Sequence, residues 1–106
     1  MNDYRIIWTN HALLQVEKIG FYIKKDSPVA ALKLMEQLLD RPKQLLTFPK
    51  SGMIEICLNL SNTEYRYLLH KKYKIIYHLS GKTIFIDTVF HTRRNPNDLI
   101  KEIYRQ

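Results

Sequence analysis

The sequence has few of the residues that indicate a covalently or metal-bound scaffold. Its one cysteine, Cys57, allows neither a disulfide framework nor a cysteine-based zinc site, and its apolar surroundings predict an inert buried thiol. The four histidines lack a regular metal-ligand spacing. Gly-rich phosphate loops and the HExxH and CxxC motifs are also missing. The sequence therefore predicts no metal and no cofactor.

Long apolar runs and linker-like segments are lacking as well. No stretch of about 18 apolar residues occurs, so neither a membrane span nor a membrane partner is predicted. The N-terminal residues lack the pattern of a signal peptide, and we expect a cytoplasmic protein. Three glycines and four prolines among 106 residues leave no flexible linker. We therefore expect one domain over residues 1–106.

Positive charge is what the sequence has in excess. Seventeen Lys and Arg residues stand against ten Asp and Glu residues, for a formal net charge of +7. Residues 1–49 hold seven basic and five acidic side chains, whereas residues 50–106 hold ten and five. Such a surplus on a small domain indicates an acidic or phosphate-rich partner. The second half of the chain is where we expect that partner to bind.

The first half predicts a short strand and two amphipathic helices. Residues 4–9 are rich in β-forming side chains. Thr9 or Asn10 can cap a helix that extends to about residue 25, because apolar residues then recur at helical spacing. A second helix begins at Ser27-Pro28, and Pro42 should end or kink it.

The second half predicts an antiparallel meander. Its strands are Tyr65–His70, Tyr73–Leu79 and Thr83–His91. Lys71-Lys72 and Ser80-Gly81 are the candidate turns, and a tip at Ser80-Gly81 places Lys74 opposite Asp87. Residues 53–60 are predicted as a strand or irregular ribbon, and residues 99–106 as a short polar helix.

This order of elements predicts an α+β fold. An N-terminal strand and a helical hairpin precede the antiparallel β-meander, and the helices pack on one face of the sheet. The other face is expected to be at least partly open and basic, because the alternating polar residues of the strands are basic.

Basic side chains and histidines near the strand ends are the candidate functional groups. Arg93 and Arg94 follow the last strand and form either a solvated strand end or an anion site, since guanidinium groups bind phosphate or carboxylate through two hydrogen bonds. Lys71 and Lys72 form either a solvated hairpin tip or a contact surface. His91 ends the last strand beside the arginines, which makes it the strongest candidate among the histidines.

Four ordered segments resemble the RelE/ParE superfamily, the toxins of bacterial type II toxin–antitoxin modules. These segments are residues 4–9 followed by Ala12, Ser27–Ala31, Leu45–Gly52, and the run from Tyr65 to His91-Thr92-Arg93-Arg94-Asn95-Pro96. The superfamily's fold, a helical hairpin against an antiparallel sheet, agrees with the predicted fold. The resemblance implies a growth-inhibiting toxin with a cognate antitoxin as partner, and a homodimer is left open.

RelE-like members are ribosome-dependent mRNA endonucleases without a metal. The resemblance implies that a member of this kind would use basic strand residues to stabilise charge on the scissile phosphate. The matching candidates here are Arg66, Lys74 and Arg93, with His91 as an acid or base. The tyrosine that such members often carry falls near Leu99, which cannot transfer a proton, and Tyr104 lies further along the chain.

ParE-like members instead inhibit DNA gyrase by binding. Their strand end often reads His-x-Arg-Arg, and His91–Arg94 is similar to it. The resemblance then implies target binding through Lys71, Lys72, Arg93 and Arg94. We favour this branch. The ribosome-dependent endonuclease acting on translated mRNA and a non-toxic basic domain that binds nucleic acid are the alternatives.

Overall fold

The computed structural model describes residues 3–105. The strands are β1 (Arg5–Trp8), β2 (Met53–Ile54), β3 (Tyr65–His70), β4 (Tyr73–Ser80) and β5 (Thr83–His91). The α-helices are α1 (Asn10–Lys24), α2 (Pro28–Asp40) and α3 (Pro96–Tyr104), and a 3₁₀ helix covers Arg41–Leu46. Within residues 3–105, no helix has the length and apolar character that crossing a bilayer requires.

The strands form one five-stranded sheet in the order β1-β5-β4-β3-β2. The meander β3–β4–β5 is antiparallel throughout, as predicted. The N-terminal strand β1 joins it in parallel to β5, and β2 adds two residues antiparallel to β3. Of residues 53–60, only the first two therefore form a strand.

Side-chain caps set the beginning of both long helices. Thr9 accepts a hydrogen bond from Ala12 N (3.1 Å) and is the cap of α1. Its hydroxyl also donates to the carbonyl of Ile86 on β5 (2.8 Å), which ties the start of the helix to the sheet. Ser27 accepts from Ala30 N (3.1 Å), and Pro28 takes the first helical position. The predicted helices are confirmed.

Both long helices pack on one face of the sheet around the main core. The buried residues of this core are Ala12, Val16, Leu34, Leu38, Leu45, Leu68, Ile75, Tyr77, Ile84, Ile86 and Val89. Burying each large aliphatic or aromatic side chain stabilises the fold by about 1.5–3 kcal/mol. This layer agrees with the predicted α+β arrangement.

The opposite face is covered more than predicted. A second core of Leu58, Ile76, Phe90 and Leu99 lies there under α3. The carboxylate of Glu102 fixes α3, since it accepts a hydrogen bond from Thr88 (2.9 Å) and lies 3.0 Å from His11 Nε2. The helix predicted as short and polar is thus amphipathic and begins three residues earlier. The strands of this face do not form the expected open basic surface, because Lys74 is paired with Glu55 and His78 with Asp87.

The tip of the β4–β5 hairpin lies one residue further along the chain than predicted. Gly81 and Lys82 form the turn, and Ser80 pairs with Thr83. Gly81 has a φ of 60°, and a hairpin turn with a positive φ at its first position favours glycine there. The predicted facing pairs of these two strands are therefore wrong.

Asp87 is the extra residue of a β-bulge in β5. The pairs on either side of it are Tyr77 with Ile86 and Ile76 with Thr88. Beyond the bulge, Lys74 pairs with Phe90 and not with Asp87 as predicted. Asp87 Oδ2 instead lies 2.7 Å from Nδ1 of His78. The opposite charges of Lys74 and Asp87 suggested the predicted register, but Lys74 pairs with Glu55 and Asp87 with His78.

Gly52 lies against Tyr77 of the main core. Its N–H donates to the hydroxyl of Tyr77 (2.9 Å), which in turn donates to the carbonyl of Pro49 (2.9 Å). A Cβ atom at position 52 would lie 2.5 Å from Tyr77 Oη and 2.8 Å from the carbonyl oxygen of Tyr67. The segment between the 3₁₀ helix and β2 therefore requires glycine at this position.

We expect Gly52→Ala to lower the free energy of unfolding by about 1–3 kcal/mol, because the added methyl group collides with backbone and a buried ring. Urea denaturation of both proteins measures the change. Gly81→Asn is the control, since nothing lies within 4 Å of a Cβ atom there and asparagine tolerates a positive φ. Equal midpoints for the two variants would contradict the collision.

Candidate functional site

Arg66 is used inside the fold. It lies on β3 opposite Tyr77, on the face that α1 and α2 cover. Its Nη1 donates to the carbonyls of Lys50 (3.1 Å) and Gly52 (2.8 Å), and its Nε donates to Glu64 (2.9 Å). With 17% of its side chain exposed, Arg66 joins the segment before β2 to the sheet.

Lys74 projects from the opposite face. The register pairs it with Leu69 and Phe90, so its side chain lies beside the second core. Its Nζ is 2.7 Å from Oε1 of Glu55 and 4.4 Å from the ring centroid of Tyr67. The Glu55 side chain is only 6% exposed, and a buried carboxylate needs such a counter-ion. Lys74 therefore neutralises Glu55 and does not converge with Arg66.

Arg94 folds back onto α3. Its Nη1 is 3.0 Å from Oε2 of Glu102, an ion pair by distance that lacks the alignment of a hydrogen bond. Its guanidinium group also lies 4.4 Å from the ring centroid of Phe90. The predicted pair of neighbouring arginines is thus separated, because Arg94 faces the second core.

Lys71, Lys72 and Arg93 come together at one end of the sheet. Thr92 N donates to the carbonyl of Lys72 (2.8 Å), so the β3–β4 turn and the segment after β5 lie against each other. All three side chains are exposed, and within residues 3–105 none of them forms an ion pair with a carboxylate. We call these three residues the basic end.

The backbone of Lys71 is strained. Its φ is 53°, in the left-handed region that costs a side chain with a Cβ atom roughly 1–2 kcal/mol. Among the described residues other than glycine, only this one has a positive φ. The turn therefore presents a lysine at a position where glycine or asparagine would be more stable.

His91 borders the basic end as a hydrogen-bond donor. It pairs with Tyr73 across the sheet, and the two rings meet edge to face with centroids 5.2 Å apart. Its Nδ1 accepts from the backbone N–H of Arg93 (3.0 Å), so the proton of the neutral ring is on Nε2. Nδ1 is then not available as a base while this bond is formed.

His70 ends β3 directly before Lys71 and so borders the basic end. Its Nε2 is 2.9 Å from Oε1 of Gln37. Burial lowers the pKa of His70, and the nearby cations Lys71 and Arg41 lower it further.

Leu99 and Tyr104, the two positions named for a catalytic tyrosine, lie away from the basic end. Leu99 is 2% exposed and belongs to the second core. The ring of Tyr104 packs edge to face on Tyr65 at 6.3 Å, and its buried hydroxyl has no hydrogen-bond partner among the described residues. Tyr65 begins β3, whereas Lys71 follows the other end of this six-residue strand, roughly 17–20 Å away.

His78 and Asp87 form a pair that was not predicted from the sequence. Burial raises the pKa of Asp87, and the hydrogen bond from His78 offsets part of that rise. No signal in the sequence reveals the pair, because it exists only through the bulge.

Cys57 is half-buried. Burial, and to a smaller extent the charge of Glu55, raises the pKa of its thiol, which disfavours the reactive thiolate.

An apolar groove of about 280 Å³ runs between α1 and α2 on their outer side. It is lined mainly by Gly20, Phe21, Pro28, Ala31, Leu32 and Met35. Phe21 and Leu32 are 63% and 64% exposed. The groove is thus an unpartnered apolar surface on the helical side of the molecule.

Comparison with known proteins identifies the family. Residues 6–96 match the family described as ParE toxin of type II toxin-antitoxin system, parDE. The chain belongs to the ParE toxin family. The superfamily resemblance seen in the sequence is thereby confirmed, and the chain is the toxin of a ParDE-type toxin–antitoxin system.

One relative and one solved structure are similar to this ParE-family chain. The relative, "Putative toxin Y4kP" of Sinorhizobium fredii (strain NBRC 101917 / NGR234), is 32% identical over 94 residues, which cover 89% of this chain and 94% of that protein. The structure is described as "Chromosomal ParDE TA system from P. aeruginosa" and matches with a TM-score of 0.70 at 18% identity. It covers 88% of this chain and 100% of that chain, and it supports the fold. The catalytic and target-binding assignments stay predictions.

We expect Arg66 and Arg93 to respond differently to the same substitution. Arg66→Gln should lower the free energy of unfolding by about 1–3 kcal/mol, because partly buried carbonyls lose their donor. Arg93→Gln should change it by less than about 0.5 kcal/mol, since its side chain is exposed and unpaired. Guanidinium denaturation measures both changes, and equal shifts would refute the distinction.

Proposed function

We propose that this ParE-family toxin inhibits DNA gyrase by binding, with the basic end as its target-facing surface. The observation that carries the proposal is a division among the six basic side chains that the sequence marks as candidates. Arg66, Lys74 and Arg94 are each neutralised by a carboxylate of the fold. The three cations of the basic end are exposed and have no such partner in residues 3–105.

The arrangement favours binding over mRNA cleavage. Metal-free cleavage of a phosphodiester needs an acid or base and charge-stabilising groups within hydrogen-bond reach of one phosphate. Arg66 and Lys74 project from opposite faces. Tyr104 lies near the far end of β3, and Nδ1 of His91 already accepts a hydrogen bond. These groups do not surround a common point.

Arg94 is left out of the target-facing surface that we propose. The sequence pattern groups it with Arg93, but its contacts with Glu102 and Phe90 give it a role in holding α3. We assign target binding to Lys71, Lys72 and Arg93 alone.

The groove between α1 and α2 is the surface that we assign to the cognate antitoxin. An amphipathic helix binds such a groove by burying its apolar face. Lys24 lies at the rim with its Nζ 5.9 Å from the ring centroid of Phe21, where it can pair with an acidic residue of the partner. Exposed apolar surface of this kind usually marks a protein-binding site.

Inhibition of gyrase can be tested with the purified toxin and by induction in a bacterial host. We expect loss of supercoiling activity and intact mRNA ends in growth-arrested cells. The triple variant Lys71→Ala/Lys72→Ala/Arg93→Ala should inhibit at least tenfold more weakly, which corresponds to about 1.4 kcal/mol of binding free energy.

Lys82→Ala is the control for this experiment, because it removes one lysine from the turn at the opposite end of β4. It should inhibit gyrase like the original protein. Unchanged supercoiling at micromolar excess of toxin, or site-specific cuts in translated mRNA, would overturn the proposed target.

The antitoxin surface can be tested with Leu32→Glu. A carboxylate in the groove should weaken antitoxin binding at least tenfold, about 1.4 kcal/mol, and abolish rescue of growth while toxicity remains. Leu39→Glu on the same helix is the matched control, because Leu39 is exposed and lies outside the groove. Full rescue of the Leu32→Glu toxin would refute the assignment.

A further inference from the structure

We propose that the basic end binds the phosphate backbone of double-stranded DNA, so that the toxin engages DNA held by gyrase and not the gyrase protein alone. The inference rests on the proposed gyrase target and deepens it, because it names the chemistry that the target presents. It follows from the charge of this end of the sheet, from its donor geometry and from the absence of exposed large apolar side chains on its two segments.

The charge of the basic end is directed to solvent. Lys71, Lys72 and Arg93 lie on two segments that the Thr92–Lys72 backbone bond holds together. Arg41 adds a fourth cation nearby, since its Nε donates to the carbonyl of Leu69 and its charge acts on His70. A cluster of unpaired cations attracts a polyanion and increases its rate of association.

The donors suit phosphate oxygens. The guanidinium group of Arg93 can bind two oxygens of one phosphate, and the two ammonium groups act as point charges. His91 contributes a further donor, Nε2–H, because its Nδ1 is occupied by Arg93 N. Contacts of this kind position a protein on the backbone without reading the bases. We therefore expect binding that is independent of DNA sequence.

The two chain segments that form the basic end, residues 71–72 and 92–93, carry no exposed large apolar side chain. Among residues 3–105, fifteen large apolar side chains are exposed, and none of them lies within residues 70–105. The last of them along the chain, Leu69, projects with Lys74 from the face of the second core. Protein–protein interfaces depend on buried aromatic and aliphatic anchors near their centre. A phosphate backbone fits the basic end better than an acidic protein segment does.

The salt dependence of DNA binding tests the inference. Fluorescence polarisation with a labelled 20-base-pair duplex gives Kd for the full chain between 50 and 200 mM salt. Three phosphate contacts predict a slope of log K against log[salt] near −2.7, about −0.9 for each contact. Lys71→Gln and Arg93→Gln should each make this slope shallower by about 1. Lys82→Gln is the charge-matched control and should leave it unchanged.

Three outcomes separate this inference from the proposed function. Loss of both duplex binding and gyrase inhibition in the basic-end variants supports both proposals. Loss of gyrase inhibition with an unaltered duplex slope overturns the DNA contact and leaves gyrase as the target. Loss of duplex binding with a parent protein that does not inhibit gyrase overturns the proposed function and leaves the basic end as a DNA-binding surface.

A twenty-residue polyglutamate peptide serves as the competing probe. If it binds as tightly as the duplex, and Arg93→Gln weakens both equally, the surface recognises acidic protein and the inference is wrong. At least tenfold weaker binding of the peptide supports the phosphate backbone as the ligand.

Discussion

Burial of β4 and β5 on both faces is the constraint on which the rest of the structure depends. Ile75 and Tyr77 face the long helices, Ile76 faces α3, and all three are fully buried. A charged or polar group on such a strand must find a partner, because its desolvation is otherwise uncompensated. The pairs Lys74–Glu55, His78–Asp87 and Thr88–Glu102 meet this requirement. On these two strands, unpaired charge can therefore remain only at the ends.

Local signals were enough to predict the helices and the three meander strands. Thr9 and Ser27-Pro28 cap the first turn of each long helix. Because a cap bonds only to residues close to it in the sequence, the start of each helix can be predicted locally. The β4–β5 register depended on a bulge, and the apparent match of Lys74 with Asp87 misled because each has a closer partner. The burial of Leu99 could not be predicted from the mostly polar sequence of α3, because the core that Leu99 joins is formed by residues distant in the sequence.

Part of the candidate site was predictable and part was not. A two-residue turn at Lys71-Lys72 places Arg66 and Lys74 on opposite faces by alternation alone. The position of His91 beside Tyr73 was not predictable, because it depends on the β4–β5 register and its bulge. The separation of Arg93 from Arg94 was not predictable. It depends on Glu102, eight residues further along the chain, which draws Arg94 onto α3.

The left-handed backbone at Lys71 sets the stability of the turn against the positive charge of the basic end. Replacing this lysine with glycine or asparagine would relieve the strain and favour folding, yet it would remove a cation from the basic end. Selection for stability alone would not retain a lysine there. Glycine or asparagine at this turn is therefore expected to give a more stable protein with one positive charge fewer at the basic end.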